Sequence, residues 1–346
     1  MTQNKIYDFI IVGQGIAGTL LAHFLIEKGK AVIIIDNNHD GAASKVAAGI
    51  VNPVTGKNFV RSWQINTFLP VAIEVYDDIA TKLNITTYTK VNIIRTIDNS
   101  EAENNWLART ADDTVSAYML GEAGVEEFVG KTSPAFGYGE LTGTLQVHLA
   151  DILDAYKKEF INNDQFFSEL FDYSTLSITD EYFEYKHIKG KEIIFCEGYK
   201  GKDNPFFKKM GFGPSKGEVL HVKISGADFT KMYKDKIFIV RLYDEVYWVG
   251  SGYEWNAPDD KPSIAGKTKL LSELDRILLL PYEIIDHKAA IRPTMHSRRP
   301  LLVSQPDISG MHMFNGLGTK GSSIGPFAAR QFAQYLITKD KELLIL

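Results

Sequence analysis

Asp8-Phe-Ile-Ile-Val-Gly-Gln-Gly-Ile-Ala-Gly18 is the stretch that decides the fold of this chain. The apolar, β-branched run before the first glycine predicts a short buried strand. Gly13, Gly15 and Gly18 then match G-x-G-x-x-G, a pattern that combines a tight turn, a close backbone approach to a pyrophosphate and close helix–strand packing. The stretch therefore predicts a strand, a glycine turn and a helix whose N-terminal N–H groups face phosphate.

The residues that follow complete a βαβ unit. Residues 19–28 are predicted to continue the helix, and Gly29 is a natural C-cap. Residues 30–35 are a second apolar strand that ends on Asp36. An acid about 20 residues past the glycines is where ribose hydroxyls of a dinucleotide are held. Asp36 would repel the extra phosphate of NADP, so the unit predicts a site for NAD or FAD. The alternative is a glycine-rich turn in an ordinary α/β protein.

The composition is that of an ordinary globular protein. The 346 residues are 45% hydrophobic and 23% charged, and this length is sufficient for two domains. The net charge is −5, whereas a protein that binds nucleic acid usually has an excess of basic residues. The single cysteine, Cys196, and the spacing of the eight histidines predict no disulfide and no metal site. Without a long apolar run or a leader pattern, the chain is expected in the cytoplasm, with no membrane contact.

Along the rest of the chain, helical patterns flank a middle rich in strands. Helices are predicted at 62–84, 144–160, 267–280 and 326–337, the last of them after a Gly/Ser loop at 318–325. This order predicts an α/β fold in which a Rossmann-like nucleotide domain carries an inserted, antiparallel-sheet substrate domain of α+β type. The predicted nucleotide domain comprises residues 1–85, 141–200 and 288–346, and the predicted substrate domain comprises 86–140 and 201–287.

A second glycine loop, Asn315-Gly-Leu-Gly-Thr-Lys-Gly321, also fits G-x-G-x-x-G. Too few residues follow it for another βαβ unit with an acidic ribose partner. A glycine turn before a helix N-terminus still makes a good anion site. Such a site suits a flavin, whose reduced ring carries negative charge that a helix N-terminus or Lys320 would stabilise.

With these motifs in place, the whole chain resembles the FAD-dependent D-amino acid oxidase, glycine oxidase and sarcosine oxidase family. The resemblance rests on the first glycine loop with Asp36, although the acid in the family is more often Glu. It also rests on five later segments, which are 43–49, 195–198, 216–219, 291–293 and 316–326. The resemblance implies a two-domain fold, bound FAD, and removal of hydride from a C–N bond of a small amine or amino acid.

The resemblance also implies which residues contact FAD and which contact substrate. The expected FAD contacts are Gly13, Gly15, Ile16, Ala17, Gly18, Asp36, Ser44, Lys45, Ala48, Gly49, Gly198, Gly316, Gly318, Thr319, Lys320 and Gly321. Arg292 lies in the family's Arg-Pro loop and is expected to bind a substrate carboxylate with its guanidinium fork. Lys320 is expected beside the flavin or oxygen, although it could equally be a solvated lysine.

The remaining candidate residues are weaker. Phe238 stands where relatives can present a substrate-binding tyrosine, so Tyr247 or Tyr243 is considered as the source of a hydroxyl, although both could be packing residues. Further candidates, each with an ordinary structural explanation as well, are Arg241 as a substrate contact, His296 and Arg298 as extra cations near Arg292, His39 as a covalent flavin link, and Cys196 as a reactive thiol.

Three further functions are open at this point. Segments 41–53 and 315–321 are similar to the flavin domain of the bacterial enzyme that modifies the tRNA wobble uridine, so a modified nucleoside is an alternative substrate. Nucleic-acid binding is nevertheless not expected at this net charge. An NAD-dependent dehydrogenase and a non-catalytic flavin-binding protein are the second and third of these functions.

Overall fold

A computed structural model describes residues 5–255 and 259–344 of the chain. Its helices are α1 (Ile16–Glu27), α2 (Ala43–Val46), α3 (Ile65–Leu83), α4 (Ser100–Thr110), α5 (Leu149–Asn162), α6 (Ile264–Ile277) and α7 (Gly321–Thr338). Its strands are β1 (Ile6–Val12), β2 (Val32–Asp36), β3 (Ile50–Val51), β4 (Val54–Thr55), β5 (Val60–Arg61), β6 (Tyr88–Lys90), β7 (Ile93–Ile97), β8 (Met119–Leu120), β9 (Gly137–Leu141), β10 (Leu145–Val147), β11 (Phe166–Ser168), β12 (Leu176–Ile178), β13 (Phe183–Tyr185), β14 (Ile188–Phe195), β15 (Ser215–Ile224), β16 (Met232–Lys234), β17 (Phe238–Tyr243), β18 (Val246–Gly250), β19 (Tyr282–Arg292), β20 (Leu301–Ser304) and β21 (Met311–Asn315).

The first of two eight-stranded sheets is built around β1. The strands β11, β2, β1, β14 and β21 run parallel in that order, and β1 lies in the middle. The β12–β13 hairpin and β20 add antiparallel pairs to this sheet. A parallel sheet with its central strand first in the chain is the Rossmann-like arrangement that the opening motif predicts.

Helices α1, α3, α5 and α7 share one core with this sheet. Leu20 of α1, Phe68 of α3, Tyr156 of α5 and Phe332 of α7 are all fully or almost fully buried in it. A second, aromatic core involves Ile10 and the other face of β1. Because the sheet is covered on both faces, its central strands contain continuous apolar runs rather than alternating patterns, as residues 9–12 of β1 and 32–35 of β2 show.

The second sheet has the order β19-β15-β18-β17-β16-β7-β9-β8. All its neighbours are antiparallel except β16 and β7. Helix α6 packs on one face of this sheet, where Leu274 joins a core with Leu220 and Tyr247. Trp248 on the other face joins a core with Val46 of α2. The structure thereby confirms the predicted fold class, while the exact domain boundaries stay a prediction.

One predicted helix begins later than expected. The apolar spacing of 144–160 predicts a single helix, but residues 145–147 form β10 and α5 begins at Leu149. The reason is tertiary pairing, since Leu145 lies opposite Val51 on one side and Lys90 on the other. A three-residue strand is too short for its alternation to be distinguished from one turn of a helix.

The last helix begins earlier than expected. The Gly/Ser pattern of 318–325 predicts a loop before Pro326, yet α7 begins at Gly321 and contains the proline. Proline has no N–H, so the carbonyl of Ser322, four residues earlier, loses its donor within the helix. The buried hydroxyl of Tyr76 in α3 donates a hydrogen bond of 2.8 Å to that carbonyl and replaces the missing donor.

Within the described residues, none of the helices combines the length and apolar character that spanning a membrane requires.

Candidate active site

A cavity of about 740 Å³ is lined by residues from both large sheets. This volume is within the range of small-molecule and cofactor sites. The structure brings most of the predicted site residues together in its lining. Those residues are Gly13, Gly15, Ile16, Ala17, Asp36, Ser44, Ala48, Gly49, Gly198, Arg292, Gly318, Thr319, Lys320 and Gly321.

The three glycines of the first loop have different roles. Gly13 has φ of +103°, and a Cβ there would lie 2.4 Å from the carbonyl oxygen of Cys196. A Cβ on Gly18 would lie 1.9 Å from the carbonyl oxygen of Gly13. A Cβ on Gly15 would meet only Ser44 Oγ, at an ordinary 3.6 Å. The fold therefore requires Gly13 and Gly18, whereas the open space above Gly15 suits a ligand that approaches the backbone.

Asp36 holds the glycine loop and also lines the cavity. Its Oδ2 accepts a hydrogen bond of 2.8 Å from the N–H of Gln14, and its Oδ1 accepts one of 2.5 Å from the N–H of Asn38. Both bonds come from backbone and fix the orientation of the half-buried carboxylate. Each oxygen keeps capacity for another donor, such as a ribose hydroxyl.

Two helix N-termini open on the cavity. Neither α1 nor α7 has an acidic residue in its first turn or a side-chain cap on its N-cap residue. Such N-termini favour negative charge because their first N–H groups lack partners within the helix. The N-cap of α7 is Lys320, whose Nζ lies 3.1 Å from Ser62 Oγ. Burial, reinforced by the charge of Arg299, lowers the pKa of Lys320.

Arg292, at the end of β19, presents a guanidinium to the cavity with only neutral acceptors around it. Its Nη2 donates to Ser251 Oγ at 2.6 Å and to the carbonyl of Gly252 at 3.2 Å. Its Nη1 donates to the carbonyl of Lys216 at 3.3 Å. Among the described residues, no carboxylate lies within salt-bridge distance of it. Burial lowers the pKa of Arg292, but a guanidinium keeps its charge in proteins.

The strand beside Arg292 leaves room for its guanidinium. Gly217 on β15 lies next to Ala290 on β19, and a Cβ on Gly217 would lie 2.1 Å from Nη2 of Arg292. On another side, the ring of Tyr253 lies 4.4 Å from the guanidinium carbon, a cation–π contact. Gly217 thus leaves space for the guanidinium, and the ring of Tyr253 contacts it.

Aromatic side chains form the remaining wall near Arg292. Phe238 of β17 and Trp248 of β18 line the cavity together with Tyr253. The indole N–H of Trp248 donates a hydrogen bond of 2.8 Å to the carbonyl of Val46, so this wall is connected to the end of α2. Four residues at this wall were not predicted from the sequence, namely Gly217, Trp248, Ser251 and Tyr253. The alternation of β15 and β18 does not reveal which face meets the cofactor domain, and Ser251 and Tyr253 follow β18 in a segment without a motif.

The structure does not bring every candidate to the cavity. Tyr247 is fully buried in the core beneath α6, where its hydroxyl donates to the carbonyl of Ala227 and accepts from the N–H of Phe229 at 3.2 Å. Tyr243 is exposed, and Gly18, Lys45 and Gly316 are not among the residues that line the cavity. The hydroxyl of Tyr247, which was considered as a substrate contact, therefore forms hydrogen bonds within the core instead.

The weaker cationic and nucleophilic candidates separate in the same way. Arg241, His296 and Arg298 are exposed and lie outside the cavity lining. His39 lines the cavity, with its Nε2 2.6 Å from Asp260 Oδ2. Cys196 also lines the cavity, and burial raises the pKa of its thiol well above the ordinary value, which disfavours the nucleophilic thiolate.

This arrangement fits FAD. The open space at Gly15 and the α1 N-terminus suit a pyrophosphate, and Asp36 suits a ribose. The α7 N-terminus with Lys320 supplies a second positive region within the same cavity. A nicotinamide dinucleotide requires the first set of groups but not the second.

Comparisons with known proteins agree with the geometry. Residues 8–335 match the family model described as FAD dependent oxidoreductase. The chain is 22% identical to the uncharacterized oxidoreductase YurR of Bacillus subtilis, over 97% of this chain and 96% of that protein. Among solved structures, it is similar to glycine oxidase from Bacillus cereus, with a TM-score of 0.81, 18% identity, and 97% of each chain covered. It is also similar to iminodiacetate oxidase from Chelativorans sp. BNC1, with a TM-score of 0.77, 20% identity, and 96% and 95% covered.

The chain therefore belongs to the FAD-dependent oxidoreductase family of D-amino acid oxidase type, and it is an enzyme that uses FAD. This confirms the family resemblance and the predicted cofactor, and it sets aside the NAD-dependent dehydrogenase.

Proposed function

We propose that the enzyme oxidises a C–N bond in a small amine that carries a carboxylate, such as an amino acid or an N-substituted glycine. The single observation that carries this proposal is the guanidinium of Arg292. It is partly buried at the cavity, held by neutral acceptors, and has no carboxylate partner among the described residues. Burying an unpaired charge is costly, and a bound carboxylate would complete both the charge pair and the bidentate fork.

The protein groups then position the substrate rather than react with it. When bound, FAD supplies the acceptor for a hydride from the carbon next to the substrate nitrogen. Arg292 fixes the carboxylate of the substrate, and Phe238, Trp248 and Tyr253 limit the orientations of the remainder. Because the amine must arrive uncharged, deprotonation by bulk solvent is sufficient and no side chain is assigned as a base.

Two of the structurally similar oxidases are named for substrates of this class. Glycine and iminodiacetate, the substrates named for two of them, each carry a carboxylate one carbon from the nitrogen. At 18–20% identity these likenesses show the fold alone, so the substrate class rests on Arg292.

The test is anaerobic bleaching of the flavin absorbance by matched pairs of compounds. Each pair contains an N-substituted glycine or an amino acid and its carboxamide, which keeps the amine but removes the negative charge. The proposal predicts bleaching by at least one acid and a much slower rate with its amide. Equal rates within every pair, or bleaching only by modified nucleosides, would overturn it and favour a nucleoside substrate.

A further inference from the structure

Three titratable side chains form a cluster away from the candidate active site, near the C-terminal end of α1. His23 and Glu27 are four residues apart on that helix, and Asp78 faces them from α3. At 1.5 Å per residue, His23 and Glu27 lie roughly 10 and 16 Å along α1 from Ile16. One ligand atom from each of the three residues lies within 4.8 Å of the others. Nothing in the proposed reaction uses these groups.

His23 is buried, and one of its ring nitrogens has no hydrogen-bond partner. Its side chain is 1% exposed, and Nδ1 lies 2.6 Å from the hydroxyl of buried Tyr156. Nε2 forms no hydrogen bond and points at the two carboxylates. In the tautomer that carries its proton on Nδ1, this N–H donates to the tyrosine oxygen and the lone pair of Nε2 faces the two carboxylates. This is the usual arrangement of a metal-bound histidine.

The two carboxylates lack a cationic side chain of their own. Neither Glu27 nor Asp78 lies within salt-bridge distance of a lysine or arginine in the described ranges. Burial, together with the hydrogen bond and charge of Asp78, raises the pKa of Glu27. Two acids held this close repel each other unless a proton or a cation lies between them.

We propose that His23, Glu27 and Asp78 form a binding site for a first-row divalent cation such as Zn²⁺. The Nε2 atom of His23 lies 3.5 Å from Glu27 Oε2 and 3.4 Å from Asp78 Oδ2. A tetrahedral ion with bonds of about 2.1 Å separates its ligand atoms by roughly 3.4 Å. One imidazole and two carboxylates are a ligand set that zinc and its neighbours accept.

The surroundings leave the remaining coordination position to water. A cavity of about 490 Å³ adjoins the site, and the Glu27 and Asp78 side chains are 36% and 56% exposed. His23 thus forms the buried base of the site, and the two acids form its open side. An ion there would join the C-terminal part of α1 to α3.

Charged groups from three helices border the site. Arg330 of α7 pairs with Glu74 at 2.9 Å and is thereby partly neutralised. The Nζ atom of Lys82, on α3, lies 6.0 Å from the centre of the Tyr156 ring. Neither Arg330 nor Lys82 lies within salt-bridge distance of Glu27 or Asp78 in the described part of the chain.

The sequence alone predicts no metal site because the ligands come from two helices. His23 and Glu27 have helical i, i+4 spacing, but Asp78 is 51 residues further along the chain. Only the tertiary fold, in which α1 and α3 both pack on α7, brings the third ligand into place.

The test uses tag-free, FAD-loaded protein stripped with EDTA and titrated with ZnCl₂ by calorimetry, with bound zinc measured after gel filtration. We expect one Zn²⁺ per chain and a higher melting temperature with zinc. Glu27→Gln and Asp78→Asn, both partly exposed and nearly isosteric, should each weaken zinc binding by at least about tenfold. Asp77→Asn is the matched control, because Asp77 adjoins the same cavity but instead accepts a hydrogen bond from Tyr88.

Two outcomes would overturn the proposal. In the first, the wild-type protein binds zinc only with a dissociation constant above about 1 mM, or not at all. In the second, all three variants bind zinc as the wild type does, which would show that the ion is held elsewhere. In either case His23 Nε2 carries a proton and points it at the carboxylates without a metal.

Discussion

At the scale of single residues, the proposed chemistry depends on the charge of Arg292, which has no carboxylate partner in the part of the chain that the structure describes. The fork of Arg292 is held by a hydroxyl and two carbonyls, and none of these acceptors neutralises it. Such acceptors orient a guanidinium while leaving its attraction for an anion in place. The space for the fork exists only because residue 217 has no side chain.

Arg292→Ala is expected to weaken transition-state binding of carboxylate-bearing substrates by about 2–5 kcal/mol, the usual cost of removing one partner of a desolvated charge pair. Arg292→Lys should recover only part of this loss, because an ammonium lacks the planar fork. Steady-state kcat/KM with the best acid of the panel measures both effects. Arg241→Ala, at an exposed position of β17, is the control and should behave as wild type. An Arg292→Ala enzyme with unchanged kcat/KM would refute the role of this residue.

Sequence motifs located cavity-lining residues where local turns fix the neighbours, although the roles of these residues stay predictions. Arg292 and Lys320 lie beside glycine or proline turns whose geometry is local, and both line the cavity. Tyr247 lies in an alternating strand, and its side chain faces the α6 side rather than the cavity. The face that each strand presents depends on how the two sheets pack, which sequence spacing does not contain.

At the scale of elements, the glycines of the β1–α1 turn serve two purposes. Gly13 and Gly18 are required for folding, whereas Gly15 leaves space for a ligand. A Cβ at position 18 would collide with backbone, whereas a Cβ at position 15 has ordinary contacts in the protein itself. Both glycines belong to the sequence motif, but only Gly18 is required by the packing of the protein itself.

Gly15→Ala is expected to fold normally as apoprotein yet bind FAD at least about tenfold more weakly, because the new methyl group occupies the space of the pyrophosphate. Gly18→Ala is expected to lower the melting temperature of the apoprotein itself, because α1 must move away from β1. Fluorescence titration with FAD and thermal melting separate the two effects. Equal FAD affinity in Gly15→Ala and wild type would contradict this division.

The proline-containing start of α7 offers a second test within one element pair. Tyr76→Phe removes the donor to the Ser322 carbonyl and leaves it buried without a partner, which should cost about 1–3 kcal/mol of unfolding free energy. Pro326→Ala restores an N–H for the same carbonyl, so Tyr76→Phe should cost clearly less in that background. A double-mutant cycle in urea measures this coupling. Additive costs would show that the tyrosine and the proline act independently.

Element prediction failed where a tertiary partner overrides local pattern. The apolar positions of 144–147 suit a helix, but pairing with β3 and β6 draws them into a strand. The proline at 326 favours a helix start, but a hydroxyl from α3 allows the helix to begin five residues before it. In both cases the deciding group lies more than fifty residues away in the chain.

At the scale of the whole molecule, the cavity is the junction between two sheets. Its lining contains the first glycine loop from one sheet and Trp248 from the other. The order of motifs along the chain was sufficient to predict this architecture and the cofactor. It was not sufficient to predict the wall of the cavity, which arises only from the contact between the two sheets.

Removing FAD should therefore loosen the junction and lower the melting temperature of the whole protein. Ligand that binds only the folded state stabilises it by about 2.7 kcal/mol when its concentration is a hundred times Kd. Differential scanning of deflavinated protein, with FAD added back in steps, measures this effect, and NAD⁺ at equal concentration is the control. A melting temperature that FAD does not raise would contradict the assignment of this cavity as the flavin site.

The position of β21 and α7 in the chain has a consequence for synthesis on the ribosome. Strand β21 pairs with β14 in the centre of the first sheet, and α7 packs against both α1 and α3. A nascent chain that ends before Met311 lacks both elements and exposes the apolar faces that they cover. The nucleotide half, although it contains β1, is therefore complete only once β21 and α7 have been synthesised. FAD is expected to bind only after that point, and a shorter chain is expected to be a client for chaperones.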